Sequence, residues 1–430
     1  MNKVLKTLLF IILSTTAIQS QWVELNTGIN STIFSISAVN NDVVWGGSFG
    51  PNIVRTVNGG STWINVGVTV PPPYGAETCI FALDSNTALF ATYSGNPTST
   101  RVYKTANAGQ NWQLVFTQSP GNISAIWMKT ALQGFMVGWP EGGRWSLWRT
   151  SNGGINWDST GMYIPETNPS VLSFDNSLYY TSPYIWFGAR GKGVYYSTND
   201  GSSWALQNLT SGGSPYPSAI WFENQTTGYS SAQLNVIKTT HSGNNWSPVP
   251  GSTGTSVIKG IVGLYNEIWY VRDLDSNIYY SSDNGTNWTV QHSSPSGTGY
   301  KHITKSRYGN SLWACTINGE IEKNILPAGI ISTNNGIPTT FKLYQNYPNP
   351  FNPSTKIKFD IPSNVKRETS NVNLTIYDIL GKNVETLINQ NLRPGIYEVS
   401  WDAAGNPSGV YFYKLSTGNY SETKKLILLK

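Results

Sequence analysis

The side chains best suited to recognition chemistry are aromatic and charged residues in short segments rich in glycine and proline. The clearest segment reads WPEGGRW and places two tryptophans beside a carboxylate and a guanidinium. Two similar segments, GARGKG and VRDLDSN, add arginines and further carboxylates. Aromatic rings beside a few charges suit the binding of a sugar or a peptide. We therefore expect a ligand-binding surface formed by Trp139, Glu141, Arg144, Trp145, Arg190, Arg272 and Asp273.

Catalysis requires more specific arrangements of side chains, and the sequence offers few. A glycoside hydrolase needs two facing carboxyl groups, one with a raised pKa, and the available ones are Glu141, Glu166, Asp273 and Asp275. Other acids, such as Asp175, are expected in hairpin turns away from these segments. The histidines and cysteines are too scattered to build a metal site, so we predict no catalytic residue, cofactor or metal. A binding protein is the preferred interpretation, and a glycoside hydrolase is the alternative.

The elements that must position these segments come from an internal repeat. An eight-residue frame of Ser/Thr, any, Asp/Asn/His, any, Gly, any, any, Trp occurs six times, at spacings of 42 to 49 residues. Repeats of this length indicate an architecture of repeated units. In the frame, the third residue can hold a tight turn, the glycine takes a positive φ, and the tryptophan is expected to bury its ring. The predicted structural positions are Asn58, Gly60, Trp63, Asn107, Gly109, Trp112, Asn152, Gly154, Trp157, Asn199, Gly201, Trp204, His241, Gly243, Trp246, Asp283, Gly285 and Trp288.

Between frames, alternating apolar and polar residues predict three further strands per repeat. Four strands in about 45 residues are typical of one blade of a β-propeller. Six blades end in the frame, and a seventh near Lys301–Asn324 supplies three strands. The segment Trp22–Thr27 resembles the strand after each frame, and it can close the ring and remove a free sheet edge. The sequence therefore predicts an all-β chain with a seven-bladed β-propeller over residues 21–325.

The frame resembles the Asp-box, or BNR repeat, of β-propellers such as sialidases, sortilin-type receptors and photosystem II assembly factors. The resemblance implies that the box is a structural turn distant from the ligand site, although here only Asp283 keeps the aspartate. It also implies that the recognition segments share one face at the mouth of a central channel. A third alternative is a purely structural surface protein, which a channel plugged by Pro71–Pro73 would favour.

The first 20 residues read as a secretory signal peptide, with Lys3 and Lys6 ahead of the apolar run Leu8–Leu13. That run is too short to span a bilayer permanently, and no other stretch is longer, so we predict no transmembrane segment. The net charge of +5 arises near the two ends of the chain, and the body is nearly neutral. A nucleic-acid partner is therefore not expected. Cys79 and Cys315 predict two buried thiols, with a disulfide as the alternative.

Residues 326–340 form a predicted linker, after which the composition changes. Residues 341–430 contain six to seven alternating strands, which predict a small Ig-like β-sandwich. This segment resembles the type A C-terminal sorting domain of the type IX secretion system, through LYQNYPNPFNPSTKIKFDIP, YDILGKNV, LRPGIYEVSWD, SGVYFYKL and the terminal KKLILLK. The resemblance implies that the secretion machinery is a partner, that cleavage falls in or near the linker, and that the product is secreted or held at the outer cell surface.

Overall fold

The computed structural model describes residues 21–49, 52–67, 76–95, 98–168, 170–209, 215–264, 267–325, 331–332, 338, 340–362, 370–392, 395–403, 405–418 and 420–429. The predicted signal peptide, most of the linker and Pro71–Pro73 lie outside these residues. Within them the chain forms 35 β-strands and no helix, which confirms the all-β prediction. Strand β1 spans Gln21–Leu25 and belongs to the last of seven sheets built before residue 326.

Sheets 1 to 4 follow one another along the chain, each antiparallel. Sheet 1 comprises β2 (Ile33–Ala38), β3 (Val44–Ser48), β4 (Ile53–Thr56) and β5 (Ile64–Asn65). Sheet 2 comprises β6 (Ala76–Ala82), β7 (Ala88–Gly95), β8 (Thr98–Thr105) and β9 (Gln113–Gln118). Sheet 3 comprises β10 (Ile123–Met128), β11 (Gly134–Glu141) and β12 (Arg144–Thr150), and a single bridge from Arg149 to Asp158 stands where a fourth strand would pair. Sheet 4 comprises β13 (Ser173–Thr181), β14 (Tyr184–Ala189), β15 (Gly193–Ser197) and β16 (Ala205–Gln207).

Sheets 5 to 7 repeat the pattern, and the last one joins the two ends of the ring. Sheet 5 comprises β17 (Ile220–Phe222), β18 (Gly228–Ala232), β19 (Asn235–Thr239) and β20 (Ser247–Pro248). Sheet 6 comprises β21 (Ile258–Leu264), β22 (Glu267–Arg272), β23 (Asp275–Ser281) and β24 (Thr289–Ser293). Sheet 7 comprises β25 (Tyr300–Lys305), β26 (Leu312–Thr316) and β27 (Ile321–Ile325), and β1 pairs with β27 from Gln21↔Ile325 to Leu25↔Ile321.

The first strands of the seven sheets form a closed ring. Strands β2, β6, β10, β13, β17, β21 and β25 each contact the next one in this order, and β25 contacts β2. The second strands carry large rings between the sheets, and Trp45, Trp186, Trp269 and Trp313 are fully buried there. Burying each ring stabilises the stack by about 1.5–3 kcal/mol or more relative to leaving it in water. The hydrophobic core therefore runs around the ring, between neighbouring sheets.

The six repeated frames form the same turn. In each, the Ser or Thr hydroxyl accepts a hydrogen bond from the glycine N–H at 2.8 to 3.0 Å. The side-chain oxygen of the third residue accepts the N–H of the seventh residue in every frame except the one holding His241. The glycines have φ between +81° and +94°, where any other residue is strained. Trp246 is buried, whereas the other five frame tryptophans are only half-buried.

The remaining strands form two four-stranded sheets. One contains β28 (Ile331–Ser332), β29 (Lys342–Leu343), β30 (Ser354–Ile361) and β33 (Gly395–Asp402). The other contains β31 (Ser370–Tyr377), β32 (Asn383–Leu392), β34 (Gly409–Thr417) and β35 (Tyr420–Leu428). A single hydrophobic core takes Phe359 and Trp401 from the first sheet and Leu374, Tyr413 and Leu426 from the second. The two sheets therefore pack on each other as one unit.

The structure also shows the state of the two cysteines and the lack of a membrane-spanning helix among the described residues. Cys79 and Cys315 are both buried thiols, so the disulfide alternative was wrong. The Cys315 Sγ donates to the Ile33 carbonyl at 3.2 Å, which satisfies the thiol inside the ring. In the portion of the chain that the structure covers, no helix has the length and apolar character needed to cross a membrane.

Candidate ligand-binding site

The ring of first strands encloses a central channel with a cavity of about 390 Å³. All seven first strands or the residues beside them contribute to its wall. The wall is largely apolar and aromatic, and Lys259, His302, Lys305 and Arg307 are its titratable side chains apart from tyrosines. We call the end at which the first strands begin the amino end of the channel, and the end at which they finish the carboxyl end.

A bulge in β13 crosses the amino end. The register of β13 against β14 jumps from Ser173↔Ala189 to Leu178↔Phe187, which leaves the residues between without ladder partners. Asn176, at the centre of this bulge, has a φ of 61°. Its side-chain oxygen accepts the Ser35 hydroxyl at 2.8 Å, and its amide donates to the Phe34 carbonyl at 3.4 Å. Because Phe34 and Ser35 belong to sheet 1, the bulge of sheet 4 reaches across the ring.

The amino end also gathers charged side chains. Asp175 lies in the bulge, where its side chain keeps access to water although protein surrounds it closely. This enclosure raises the pKa of Asp175 to about 7, and the neighbouring Lys259 ammonium opposes the rise. Lys259 pairs with Asp273 at 3.6 Å, and Asp273 also accepts a hydrogen bond from Lys301 at 2.5 Å. Burial lowers the pKa of His302 to about 4, and its Nδ1 accepts the Ile36 N–H.

The carboxyl end carries two cations and no acidic lining residue among those described. The Arg307 guanidinium lies 4.3 Å from the centroid of the Phe81 ring and donates to the Ser37 hydroxyl and the Ala82 carbonyl. Burial lowers the pKa of Arg307 to about 10, so the group stays protonated near neutral pH. Burial also lowers the pKa of Lys305, which is the last residue of the first strand of sheet 7.

The hairpin between β11 and β12 places the first group of predicted site residues. Trp139 donates its indole N–H to the Ser173 carbonyl at 3.2 Å and packs on Tyr93, and its side chain is half-buried. Burial raises the pKa of Glu141. Arg144 lies over the Tyr163 ring at 5.8 Å. Trp145 is fully buried in the core beneath them, so its expected role in ligand contact was wrong.

The other predicted site residues lie apart from that hairpin. Arg190 is exposed and lies 5.8 Å from the centroid of Tyr216. Arg272 is fully buried, where it donates to the carbonyls of Ser256, Leu234 and Ser252, so its expected ligand contact was also wrong. A fully buried guanidinium needs these acceptors because it cannot shed its charge.

The carboxyl groups considered for glycoside hydrolysis also lie in separate environments. Glu166 is buried and pairs with Lys192 at 3.2 Å, and Asp275 accepts the Tyr279 hydroxyl at 2.7 Å. Among the residues predicted to bind ligand, Asp273 forms ion pairs with Lys259 and Lys301 at the amino end of the channel. Over the parts of the chain that the structure covers, no group of three His, Cys, Asp or Glu side chains is placed to hold a metal.

The sequence pattern did not indicate which residues lie at the amino end of the channel, and Asp175 shows why. The pattern of VLSFDNSLYYT predicts a strand, a turn and a strand, with Asp175 in the hairpin turn. The structure instead places Ser173–Thr181, including Asp175, in the single strand β13, so that expectation was wrong. The signal was present in the next strand, because YIWFGA in β14 matches VWGGS in β3 and EIWYVR in β22 as the second strand of a sheet. Aligning those strands leaves Asp175 inside the first strand.

Solved structures similar to this chain have the same arrangement of sheets. A structure described as YCF48 bound to D1 peptide has a TM-score of 0.56 at 14% identity, over 71% of this chain and 97% of that one. YCF48 from Cyanidioschyzon merolae gives 0.55 at 16% identity, over 70% and 98%. The WD40 β-propeller domain of Doa1 gives 0.52 at 11% identity, over 71% and 96%. These likenesses show the fold, which is a β-propeller.

The C-terminal segment has a match of its own. Residues 345–429 match the family of secretion system C-terminal sorting domains. No curated protein matches the chain. The family match confirms the prediction made from the motifs of this segment, and the matched residues include the strands β30 to β35. The chain therefore carries at residues 345–429 a type IX C-terminal sorting domain, which directs it to the cell surface or the extracellular space.

Proposed function

We propose that the mature chain is an exported ligand-binding or scaffold protein, in which a seven-bladed β-propeller spans residues 21–325. Seven sheets among the described residues, and the pairing of β1 with β27 that joins the last sheet, support this blade number. The two C-terminal sheets around one core support an Ig-like sandwich for the sorting domain. Cleavage in or near residues 326–340 would release the propeller after export, because these residues join two separate cores.

The central channel is the observation that carries the binding function. Its cavity of about 390 Å³ falls in the range of ~300–1,000 Å³ typical of small-molecule sites. Its wall combines aromatic rings with a few polar and cationic groups, which is the usual composition of such sites. A molecule inside would therefore gain apolar contact and a small number of orienting interactions.

The second proposed contact surface is the loop group around the β11–β12 hairpin. Trp139, Glu141, Arg144 and Arg190 retain accessible surface, and Asp273 adds a carboxylate at the channel mouth. The stacking of Arg144 on Tyr163 and of Arg190 on Tyr216 orders the two guanidinium groups before any ligand arrives. Side chains that are already ordered lose less conformational entropy on binding. That a propeller of similar fold is described as bound to a peptide agrees with a recognition role.

A glycoside hydrolase is the second candidate function, and one pair of residues favours it. Asp175 and Asp273 both lie near Lys259 at the amino end of the channel. A carboxyl group with a pKa of about 7 suits a general acid. Asp273, however, has both oxygens engaged by lysines, which makes it a poor nucleophile or base. For this reason we place binding ahead of hydrolysis.

The test is a glycan-array screen of the mature chain, with release of reducing ends assayed on every hit. We expect binding without release. Thr304 lines the cavity, so the larger side chain of Thr304→Trp should occupy the channel and abolish binding there. Trp139→Ala should instead abolish binding at the outer loops. Release that Asp175→Asn removes would establish the hydrolase instead. Binding that survives both Thr304→Trp and Trp139→Ala would refute both proposed surfaces.

A further inference from the structure

The carboxyl end of the channel holds an ammonium group to which none of the described residues is a hydrogen-bond or ion-pair partner. Lys305 lines the cavity, and its Nζ has no hydrogen bond or ion pair with any described residue. Every described lining residue that titrates at this end is either cationic or a tyrosine. Arg307 lines the same cavity two residues further along the chain, and the Ser37 hydroxyl, the Ala82 carbonyl and the Phe81 ring hold it in place. Two enclosed cations without a counterion favour an anion.

The wall beside these cations is aromatic. Trp127 packs against Phe81 at 5.6 Å and against Tyr179 at 6.0 Å between ring centroids, and Trp221 lines the same cavity. Rings of this kind bind flat apolar groups by offset or edge contacts. A ligand that uses both features has an anionic head and an apolar, ring-like body.

The two ends of the channel differ in access. At the amino end, Asn176 bridges from sheet 4 to sheet 1 through Ser35 and Phe34. At the carboxyl end, Tyr308 is 74% exposed and lies at the rim of the cavity. A ligand would therefore enter past Tyr308 and meet Lys305 and Arg307 first.

We propose that the carboxyl end of the channel binds a small organic carboxylate, with Lys305 and Arg307 on the carboxylate and the Trp127 and Trp221 rings on its apolar body. Two cationic side chains match the two oxygens of one carboxylate. This proposal rests on the channel as the binding site of the proposed function, and it names the ligand class. It also reverses the expected direction of approach, because the predicted recognition segments lie elsewhere.

The test compares matched probes on the mature full-length chain by isothermal titration calorimetry. Indole-3-acetate has the required charge and aromatic ring, indole-3-acetamide keeps the aromatic ring without the charge, and glucuronate keeps the charge without an aromatic ring. We expect indole-3-acetate to bind at least 10-fold more tightly than either of the other two. Lys305→Met should remove this preference, and Lys305→Arg should restore most of it, which separates loss of charge from misfolding.

Lys129→Met is the matched control, because Lys129 follows the first strand of sheet 3 and pairs with Asp200 outside the cavity lining. It should leave binding of indole-3-acetate unchanged. Equal affinity for the acid and the amide, or unchanged affinity in Lys305→Met, would overturn the carboxylate assignment. Tight binding of glucuronate alone would overturn the aromatic body. If glycans bind, Thr304→Trp blocks their binding and none of these acids binds, this inference is refuted but the proposed function is supported.

Discussion

Trp22→Ala tests how the ring of sheets is closed. Trp22 lies in β1 and is only 5% exposed. Its ring stacks on His292 at 6.1 Å between centroids, and its indole N–H donates to the Gln291 side-chain oxygen at 2.9 Å. Gln291 also accepts the Trp269 N–H at 2.7 Å, so it keeps one partner in the variant. Trp22 therefore attaches the N-terminal strand to sheet 6 as well as to sheet 7.

Removing a buried tryptophan costs ~3–5 kcal/mol through lost apolar burial and the cavity left behind. The lost hydrogen bond adds little, because a typical one contributes ~1 kcal/mol net and Gln291 is not left unpaired. We therefore expect Trp22→Ala to lower the free energy of unfolding of the propeller by ~3–5 kcal/mol. Trp22→Phe keeps a ring against His292 and should cost roughly half as much.

The assay is equilibrium urea unfolding of the mature chain followed by tryptophan fluorescence. Of the 17 tryptophans, Trp401 alone lies in the sorting domain, so the signal reports the propeller. The matched control is Trp139→Ala, since Trp139 is half-buried and lies outside the closing strand. A loss below ~1 kcal/mol in Trp22→Ala would refute the view that β1 stabilises the ring by burying this side chain.

Three further predictions concern single positions. Gly109→Ala should destabilise the chain more than Gly142→Ala in urea unfolding, because a Cβ at Gly109 would lie 2.5 Å from Val66 whereas nothing lies within 4 Å of one at Gly142; equal losses would contradict this. Asp175→Asn should gain thermal stability relative to wild type as the pH rises from about 4 to about 7, because the pKa of Asp175 is raised from 3.8 to about 7 and wild type loses stability as its carboxyl ionises over that range; a constant difference in Tm would argue against it. The Asn287 N–H helps lower the pKa of Asp283 to about 2, so its carboxylate contributes stability that is lost as the pH falls toward that value. Asp283→Asn should remove this loss at acidic pH, and it should cost under ~1 kcal/mol at pH 7 because water screens the charge; a larger cost would mean that the charge itself is required.

The local features of the fold were predictable because neighbouring residues determine them. The frame from Ser281 to Trp288 forms its turn from hydrogen bonds between residues two to four positions apart. The sorting-domain motifs are likewise continuous in sequence, so their family could be identified without a structure. The error at Asp175 arose where this local logic was ambiguous, since a polar segment reads equally as a turn or as a bulge within one strand.

The sequence by itself determined the all-β class, the repeat that builds the propeller and the sorting domain that exports it. Each of these depends on periodicity or on short continuous motifs. Only the tertiary structure decided which side chains meet in the channel, because Phe81, Asn176, Lys259 and Lys305 come from four different sheets. It also decided that Arg272 is enclosed by backbone carbonyls rather than offered to a ligand. Burial and long-range proximity depend on how the sheets pack around one axis, which no local segment of the chain encodes.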